Sequence, residues 1–236
     1  MTNEYAHRNP NAAGAVRDAV FEVTSGSLFA RNGAWWTGVP DDVSPGPASA
    51  RGTDSAVFRM TTRRSDFDSV RVSFGLRVAA FVTTARTPAE AWDGVHVLLR
   101  YQSPFELYYA SIDRRDGSLQ IKKKVAGGAS NGGTYFTLAS RAPAVPAPGP
   151  RATVDGWQDV AATVETEPSG AVRIAVWHGA QLVLQAIDDG SVGGPPILEP
   201  GAVGIRGDNC DFEFRRFRVD GLHGDAGGLE LAAPTG

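Results

Sequence analysis

The sequence predicts an all-β fold in which two antiparallel sheets pack face to face as a sandwich. Short segments with alternating or β-branched apolar residues recur along the chain, as is typical of half-buried strands. Turn-forming residues separate these segments, and the pairs Asp116-Gly117, Ser169-Gly170 and His178-Gly179 each stand between two of them. Long helical periodicity is almost absent, which argues against a mainly helical fold.

Each predicted strand is an alternating or β-branched run that ends at a turn residue. The expected strands are Val20–Val23, Gly33–Thr37, Ala56–Met60, Val70–Phe81, Gly94–Gln102, Phe105–Asp113, Leu119–Val125, Thr134–Leu138, Gln158–Glu165, Val172–His178, Leu182–Ile187, Gly201–Arg206 and Phe212–Val219. Residues 40–53 and 141–151 are predicted loops, because prolines in the second cannot lie inside a sheet. Thr87–Trp92 is predicted to form one helical turn.

The size and composition of the chain indicate one globular domain. It has 236 residues, of which 42% are hydrophobic and 21% charged, and a sandwich of this length is commonly a single domain with a substantial core. We expect the domain over 17–222, with a flexible segment over 1–16 and a flexible tail over 223–236. The formal net charge of −3 argues against a nucleic-acid-binding protein.

Period-two alternation assigns the core. The side chains expected to be buried are Val97, Leu99, Tyr101, Ile112, Val164, Ile174, Val176, Ile205, Phe212 and Phe214. Of the adjacent Trp35 and Trp36, one should face inward and one outward, and Trp157 should lie in the core. Cys210 is the only cysteine, which excludes an intrachain disulfide, and we expect it to be structural.

The order of the segments resembles a known superfamily. The strand DFDSVRVSFGLRV is followed by GVHVLLRYQSPFELYYASID and SLQIKKKVAGG, and later by GWQDVAATVE, AVRIAVWHGAQLVLQAID and GAVGIRGDNCDFEFRRFRVDG. Over about residues 17–222 this resembles the concanavalin A-like and laminin-G-like jelly rolls, nearest to the bacterial sugar-active group of 3-keto-disaccharide-hydrolase-like domains. The resemblance implies a jelly-roll sandwich that acts on or binds carbohydrate through one open sheet face.

One sheet face collects the candidate catalytic residues. The apolar residues of Gly94–Gln102 should face the core, which leaves His96, Arg100 and Gln102 on the open face, and Tyr109 should join them from the next strand. His96, Arg100 and Tyr109 together suit β-elimination on a uronate, in which an arginine stabilises the carboxylate and a tyrosine or histidine moves the proton. Gln102 would contact the ligand. The alternative is a solvated polar face without catalytic function.

Further cationic and aromatic residues are expected around this face. Lys122 and Lys124 would form a basic patch for an acidic ligand, or else would protect an edge strand against aggregation. Trp177 would stack on a sugar ring while Arg173 bonds its hydroxyls or carboxylates; alternatively, Trp177 only covers the sheet. Arg206 is placed on the open face because it lies opposite the apolar positions of its strand.

No cofactor is expected, since the histidines lack metal-ligand spacing and no nucleotide-binding or nucleophile-elbow motif occurs. A structural calcium ion is the alternative, with Glu22, Asp208, Asp211 and Asp220 as oxygen donors in suitable regions. The expected partner is a small molecule or glycan, an acidic one included, with no nucleic acid and no membrane. The N-terminus lacks a signal-peptide pattern, which predicts a cytoplasmic protein unless a leader has been removed.

Three functions follow from these observations. The first is a glycan-binding or glycan-cleaving jelly roll, which as an enzyme would be a lyase or glycoside hydrolase. The second is an intracellular cyclase or eliminase that acts on a smaller molecule in a biosynthetic pathway. The third is a non-catalytic interaction module. A long shallow groove would favour the first, a deep apolar pocket the second, and a flat face the third.

Overall fold

The computed structural model describes residues 2–143, 156–223, 228–232 and 234. These residues form two antiparallel sheets, of nine and seven strands, that pack against each other as the predicted sandwich. Within the described ranges the helical content is one short helix, α1 (Glu4–Arg8), so no described helix is long and apolar enough to cross a lipid bilayer. Most of the predicted loop over 141–151 lies outside the described residues.

The larger sheet contains nine strands, of which eight lie side by side and the ninth, β16, pairs with β15. Across the sheet the strands are β1 (Thr2–Asn3), β3 (Ser27–Arg31), β4 (Ala34–Trp36), β15 (Cys210–Gly221), β6 (Val70–Phe81), β11 (Gln158–Thr166), β12 (Val172–His178) and β13 (Gln181–Asp188), with β16 (Leu229–Glu230) beside β15.

The smaller sheet carries the candidate site and has seven strands. Across the sheet they are β10 (Gly133–Arg141), β9 (Leu119–Ser130), β8 (Glu106–Arg114), β7 (Gly94–Ser103), β14 (Ala202–Asp208), β5 (Val57–Thr62) and β2 (Phe21–Ser25). The sequence pattern predicts every strand of the two sheets except β3 and the two-residue strands β1 and β16, which are too short to show an alternation.

The core lies between the sheets and is built from the inward half of each alternating strand. Nine of the ten residues predicted to be buried lie in it, each with at most 2% of its surface exposed: Val97, Leu99, Ile112, Val164, Ile174, Val176, Ile205, Phe212 and Phe214. Phe74 from β6 packs edge-on against Phe214 and stacks on Phe217, with centroid distances of 6.3 and 5.9 Å. Cys210 is also buried.

The two predicted flexible ends contain ordered elements. Thr2–Asn3 pairs with Ser27–Leu28 as an edge strand, and the Asn3 side chain caps α1 by accepting a hydrogen bond from the backbone of Ala6. At the other end, Leu229–Glu230 pairs with β15, and Leu231 is buried. Burial of these terminal residues against the larger sheet outweighs their weak local pattern.

Three smaller predictions concern the tryptophan side chains and the segment Thr87–Trp92. Trp35 packs edge-on against Phe21, whereas Trp36 faces outward, so the adjacent pair divides as expected. The prediction that Trp157 is a core residue is wrong, because it is partly exposed among arginine side chains outside the larger sheet. The segment Thr87–Trp92 forms bends and a turn and not the predicted helical turn.

Strand β7 contains an irregularity that reverses its alternation. Arg100 has a φ of 44°, and between the ladder pairs Gly204–Leu98 and Ala202–Tyr101 the strand β7 has one more residue than β14. This bulge turns Arg100 inward between the sheets and Tyr101 outward. Tyr101 was the tenth predicted core residue; that prediction is wrong, since Tyr101 packs outside with Leu98 and its neighbours.

Candidate functional site

A cleft crosses the outer face of the seven-stranded sheet. Its main cavity has a volume of about 400 Å³ and is lined by Trp92, Tyr109, Arg114, Lys122, Tyr135, Arg206, Asp208 and the loop 129–131. A smaller depression shares Tyr109, Tyr135 and Arg206 with it and adds Arg59, Leu98, Tyr101, Pro104 and Leu107. The two together are called the outer cleft here, and it extends from β9 and β10 to β5.

The aromatic and cationic residues of the outer cleft are cross-strand neighbours. Tyr109 on β8 stands opposite Lys122 on β9, and Tyr135 on β10 stands opposite Lys124 on β9. The Lys122 Nζ lies 5.8 Å and the Lys124 Nζ 4.7 Å from the centroid of the Tyr135 ring. Alternation along three adjacent strands thus brings tyrosines and lysines to one face.

A histidine supports the floor of the outer cleft from below. The His96 ring stacks on the Tyr109 ring with a centroid distance of 4.4 Å, and its Nδ1 lies 3.0 Å from the Ser111 Oγ. Its Nε2 lies 3.4 Å from an Asp208 carboxylate oxygen. His96 is completely buried, and this burial lowers the pKa of its imidazole despite the nearby carboxylate. A neutral His96 therefore positions Tyr109 and Asp208 without reaching the cleft itself.

Arg206 and Asp208 form a two-pronged ion pair in the cleft wall. Arg206 donates from Nη2 to Oδ1 at 2.7 Å and from Nε to Oδ2 at 2.8 Å. Burial on its own raises the pKa of Asp208, but the adjacent Arg206 guanidinium outweighs it and holds that pKa well below the ordinary range. The Asp208 carboxylate is therefore ionised, and both of its oxygens accept hydrogen bonds from Arg206.

Tyr109 keeps its phenolic proton at neutral pH. Its hydroxyl lies 3.5 Å from Asp208 Oδ2 and points its proton toward that carboxylate. Burial, reinforced by the negative charge of Asp208, raises the pKa of Tyr109 well above the ordinary value for a tyrosine. The ring is thus available for stacking, whereas a tyrosinate base is disfavoured at this position.

The outer cleft has more positive than negative charge. Arg114 pairs with Asp116 and Arg206 with Asp208. In the described part of the chain, Arg59, Lys122 and Lys124 have no carboxylate within ion-pair distance, and we refer to them as the unpaired cations. The Arg59 Nε donates to a threonine hydroxyl at 2.7 Å, and the buried Lys124 Nζ donates to a backbone carbonyl at 2.9 Å.

Three of the eight predicted site residues, Tyr109, Lys122 and Arg206, line the outer cleft, and a fourth, His96, stacks beneath Tyr109. Arg100 does neither, because the β7 bulge turns it between the sheets. There its guanidinium is fully buried and donates to the Ile197 carbonyl at 2.7 Å, to Asp68 and to Thr166. The expectation that Arg100 shares the open face with His96 is therefore wrong.

The other three predicted residues also lie elsewhere. Gln102 follows the bulge and donates to the carbonyls of Glu199 and Pro200 at 3.1 and 2.8 Å. Arg173 and Trp177 lie on the outer face of the nine-stranded sheet, because the alternate residues of β12 fill the core. The thickness of the sandwich separates them from the cleft.

Each of these two residues of β12 already has partners on its own face. Arg173 pairs with two glutamates of that face at 3.6 and 3.0 Å. The Arg71 guanidinium lies 5.4 Å from the centroid of the Trp177 ring. Both residues therefore make contacts of the type expected for solvated surface residues.

Sequence reasoning missed several residues of the outer cleft. Trp92 lies in a turn, and its 51% exposure and position at the cleft are set by tertiary structure alone. Tyr135 shows the correct alternation within β10, but the neighbours of β10 cannot be read from local pattern. Arg59 on β5 meets Arg206 only because β5 pairs with β14.

The four carboxylates considered as calcium ligands have other partners. Glu22 pairs with His7 and Arg63, and Asp208 pairs with Arg206. Asp211 accepts a hydrogen bond from the Trp36 indole, and Asp220 pairs with Arg218. Over the described ranges, no group of three or more His, Cys, Asp or Glu side chains is arranged to hold a metal ion.

Comparison with known proteins supports the fold. No protein-family model and no curated protein matches the chain. Solved structures do: carbohydrate-binding module CBM66 from Bacillus subtilis has a TM-score of 0.53 and 9% identity over 85% of this chain and 94% of that one. The carbohydrate recognition domain of Emp46p has a TM-score of 0.55 and 11% identity, over 88% and 93% of the two chains.

A glycoside hydrolase family protein from Mycobacterium thermorestibile has a TM-score of 0.50 and 12% identity, over 89% of this chain and 97% of that one. Identities this low establish the fold alone, and the closer resemblance to 3-keto-disaccharide-hydrolase-like domains stays a prediction. The sheet order, the core and these neighbours agree that the chain has the concanavalin A-like jelly-roll fold.

Proposed function

We propose that the protein binds carbohydrate in the outer cleft and acts as a recognition module. The observation that carries this proposal is the combination of aromatic rings with convergent charged groups in the lining of one cavity. Trp92, Tyr109 and Tyr135 line it together with Lys122 and Arg206. Aromatic rings stack on the apolar faces of sugars, while charged donors and acceptors bond their hydroxyls.

The polar part of the outer cleft is preorganised for binding. Arg206 and Asp208 hold each other through two hydrogen bonds, and His96 and Tyr109 approach the same carboxylate from beneath. Groups that are fixed before a ligand arrives lose little conformational entropy when they bind it. A shallow cleft with a rigid polar wall fits recognition of a saccharide chain.

Binding is favoured over cleavage by the state of the candidate catalytic groups. Glycosidases use two carboxylates on either side of the scissile bond, whereas Asp208, the carboxylate that lines the main cavity, is engaged by two nitrogens of Arg206. Arg100, the arginine predicted to meet the substrate carboxylate in β-elimination, points into the core. Tyr109 holds its proton.

The names of the structural neighbours add support of a weaker kind. They describe a carbohydrate-binding module, a carbohydrate recognition domain and a glycoside hydrolase family protein. These are properties of those proteins, and they raise the expectation of a sugar ligand here by analogy of fold.

The proposal is tested by binding measurements with a panel of soluble glycans, using affinity electrophoresis and then titration calorimetry. Trp92→Ala and Tyr135→Ala should each weaken binding about tenfold, since each removes a stacking surface worth about 1.4 kcal/mol. Trp177→Ala is the matched control, because Trp177 lies on the opposite sheet. Full retention of binding by both cleft variants would place the site elsewhere.

A further inference from the structure

We propose that the saccharide bound in the outer cleft is anionic and that Lys122 binds its negatively charged group. This proposal rests on carbohydrate binding in the cleft as proposed above. Lys122 is half-buried in the wall of the main cavity. Whereas Arg114 and Arg206 each have an aspartate partner there, Lys122 has no carboxylate within ion-pair distance over the described ranges.

The surroundings of Lys122 compensate its charge only in part, through the more distant Asp116. Its cross-strand neighbours are Tyr109 and Thr137, which are uncharged. Burial, followed by the repulsion of the nearby Arg114 guanidinium, lowers the pKa of the Lys122 ammonium. A cation that is partly desolvated and faces another cation gains stability when an anion arrives. Lys122 therefore offers a positive charge that a ligand can neutralise.

A second unpaired cation lies at the other end of the outer cleft. Arg59 lines the smaller depression, and its Nε donates to the Thr24 hydroxyl. From β9 to β5 there are four strand-to-strand steps, which separates the backbones at Lys122 and Arg59 by about 19 Å across the sheet. A ligand that meets both must carry negative charges several sugar rings apart, which describes an acidic oligosaccharide.

The residues between these two cations favour a saccharide over other polyanions. Tyr109 and Tyr101 lie on strands between them, Tyr135 flanks Lys122 on β10, and the rings of all three line the outer cleft. Single-stranded nucleic acid also combines negative charge with stacking. However, the net charge of −3 gives the whole chain the sign that repels a nucleic acid. A local excess of positive charge in the outer cleft of an acidic chain suits a ligand whose charges are few and spaced.

The experiment compares matched ligands by titration calorimetry. The probes are hexasaccharides of galacturonate and of mannuronate, their carboxyl-reduced neutral counterparts, a sulfated hexasaccharide and a single-stranded DNA hexamer. An acidic hexasaccharide should bind at least about tenfold tighter than its neutral counterpart, with an affinity that falls as salt rises. The uronate and sulfate arms show which anionic group the cleft takes.

Variants then assign the anionic contact to its residue. Lys122→Gln should weaken binding of the acidic hexasaccharide about tenfold more than binding of the neutral counterpart, because glutamine keeps a hydrogen-bond donor but not the charge, and Lys122→Arg should restore the affinity. Arg59→Gln should weaken the hexasaccharide but not a disaccharide, which cannot span the cleft. Arg173→Gln on the opposite sheet is the control and should change neither.

The outcomes separate this proposal from carbohydrate binding itself. Equal binding of acidic and neutral hexasaccharides that is lost in Trp92→Ala would overturn the anionic ligand and leave the recognition module standing. Absence of binding by every saccharide would overturn both proposals. Preferential binding of the DNA hexamer, weakened in Lys122→Gln, would keep an anion site and overturn the saccharide.

Discussion

The Lys123 Nζ lies 2.8 Å from the Asp188 Oδ2, and both side chains are completely buried between the two sheets. The Tyr108 hydroxyl donates to the same carboxylate at 2.7 Å, and Lys123 also donates to the Gly194 carbonyl at 2.6 Å. One ion pair thus joins the smaller sheet to β13 of the larger sheet and to the segment that follows β13. Because every member has a partner, the cluster is a satisfied polar network within an apolar core.

Removing one member of this pair should destabilise the fold strongly. Lys123→Met leaves the Asp188 carboxylate buried without a counterion, and we expect the free energy of unfolding to fall by about 3–5 kcal/mol. Urea denaturation measures it. The double variant with Asp188→Asn removes both charges but keeps an acceptor for Tyr108, so it should lose less than the single variant. A double variant that is less stable than Lys123→Met would contradict this account.

Arg100 should matter for stability and not for ligand binding. Arg100→Met leaves the Ile197 carbonyl and the Thr166 hydroxyl without the donors that they now have. We expect a loss of about 2–4 kcal/mol in the free energy of unfolding. Glycan affinity of the folded variant, measured at a temperature where it stays folded, should match that of the parent protein. Loss of affinity at unchanged stability would return Arg100 to the site.

The phenolic oxygen and the ring of Tyr109 should have separable effects. Tyr109→Phe keeps the ring that stacks on His96 and lines the cleft, so glycan affinity should stay within about threefold of the parent value. Tyr109→Ala removes the ring and should weaken binding at least about tenfold. Calorimetry with the best glycan of the panel measures both. If Tyr109→Phe proves as weak as Tyr109→Ala, the hydroxyl and not the ring makes the decisive contact.

Two aspartates should make the protein sensitive to acid. Burial alone disfavours ionisation of both, but Arg206 beside Asp208 and Arg114 beside Asp116 outweigh it. The pKa of Asp208 is thereby held below its usual range and that of Asp116 falls to about 2. An unfolded aspartate titrates near about 3.9. The pKa of each aspartate is therefore lower in the folded state than in the unfolded state. The stabilisation present above about pH 4 is lost as the pH falls toward 2.

Urea midpoints measured from about pH 7 down to about pH 2 check this expectation. They should decline below about pH 4, because there the unfolded chain binds more protons than the folded chain. Asp208→Asn removes one of the two groups, so its midpoint should change less over the same interval. A profile for Asp208→Asn that parallels the parent profile would show that Asp208 does not contribute.

Local pattern predicts the strands well because alternation is a property of each strand by itself. Val97 and Leu99 face the core as their spacing requires, and the turn at Asp116-Gly117 separates β8 from β9. The predicted inward and outward directions of the β7 side chains are correct as far as Leu99 and reversed at Arg100. A non-glycine residue with positive φ has no sequence signature at that position, so the bulge was not predictable.

The membership of the cleft is harder to predict because it depends on which strands are neighbours. His96, Tyr109 and Lys122 meet because β7, β8 and β9 are consecutive hairpins. Trp177 has an equally plausible pattern, yet it lies on the other sheet, and no local feature distinguishes the two cases. Strand order is fixed by long-range packing.

The extra residue on β7 also affects how related sequences should be compared with this one. A homologue that lacks the extra residue would keep the alternation of β7 unbroken after Leu99. Its residue directly after Leu99 would face outward, as Tyr101 does here, whereas Arg100, which follows Leu99 in this chain, faces the core. An alignment without a gap there would equate side chains that lie on opposite faces of the sheet. When binding residues are transferred between relatives, the positions up to Leu98, before the bulge, and those from Tyr101 onward, after it, must therefore be aligned separately.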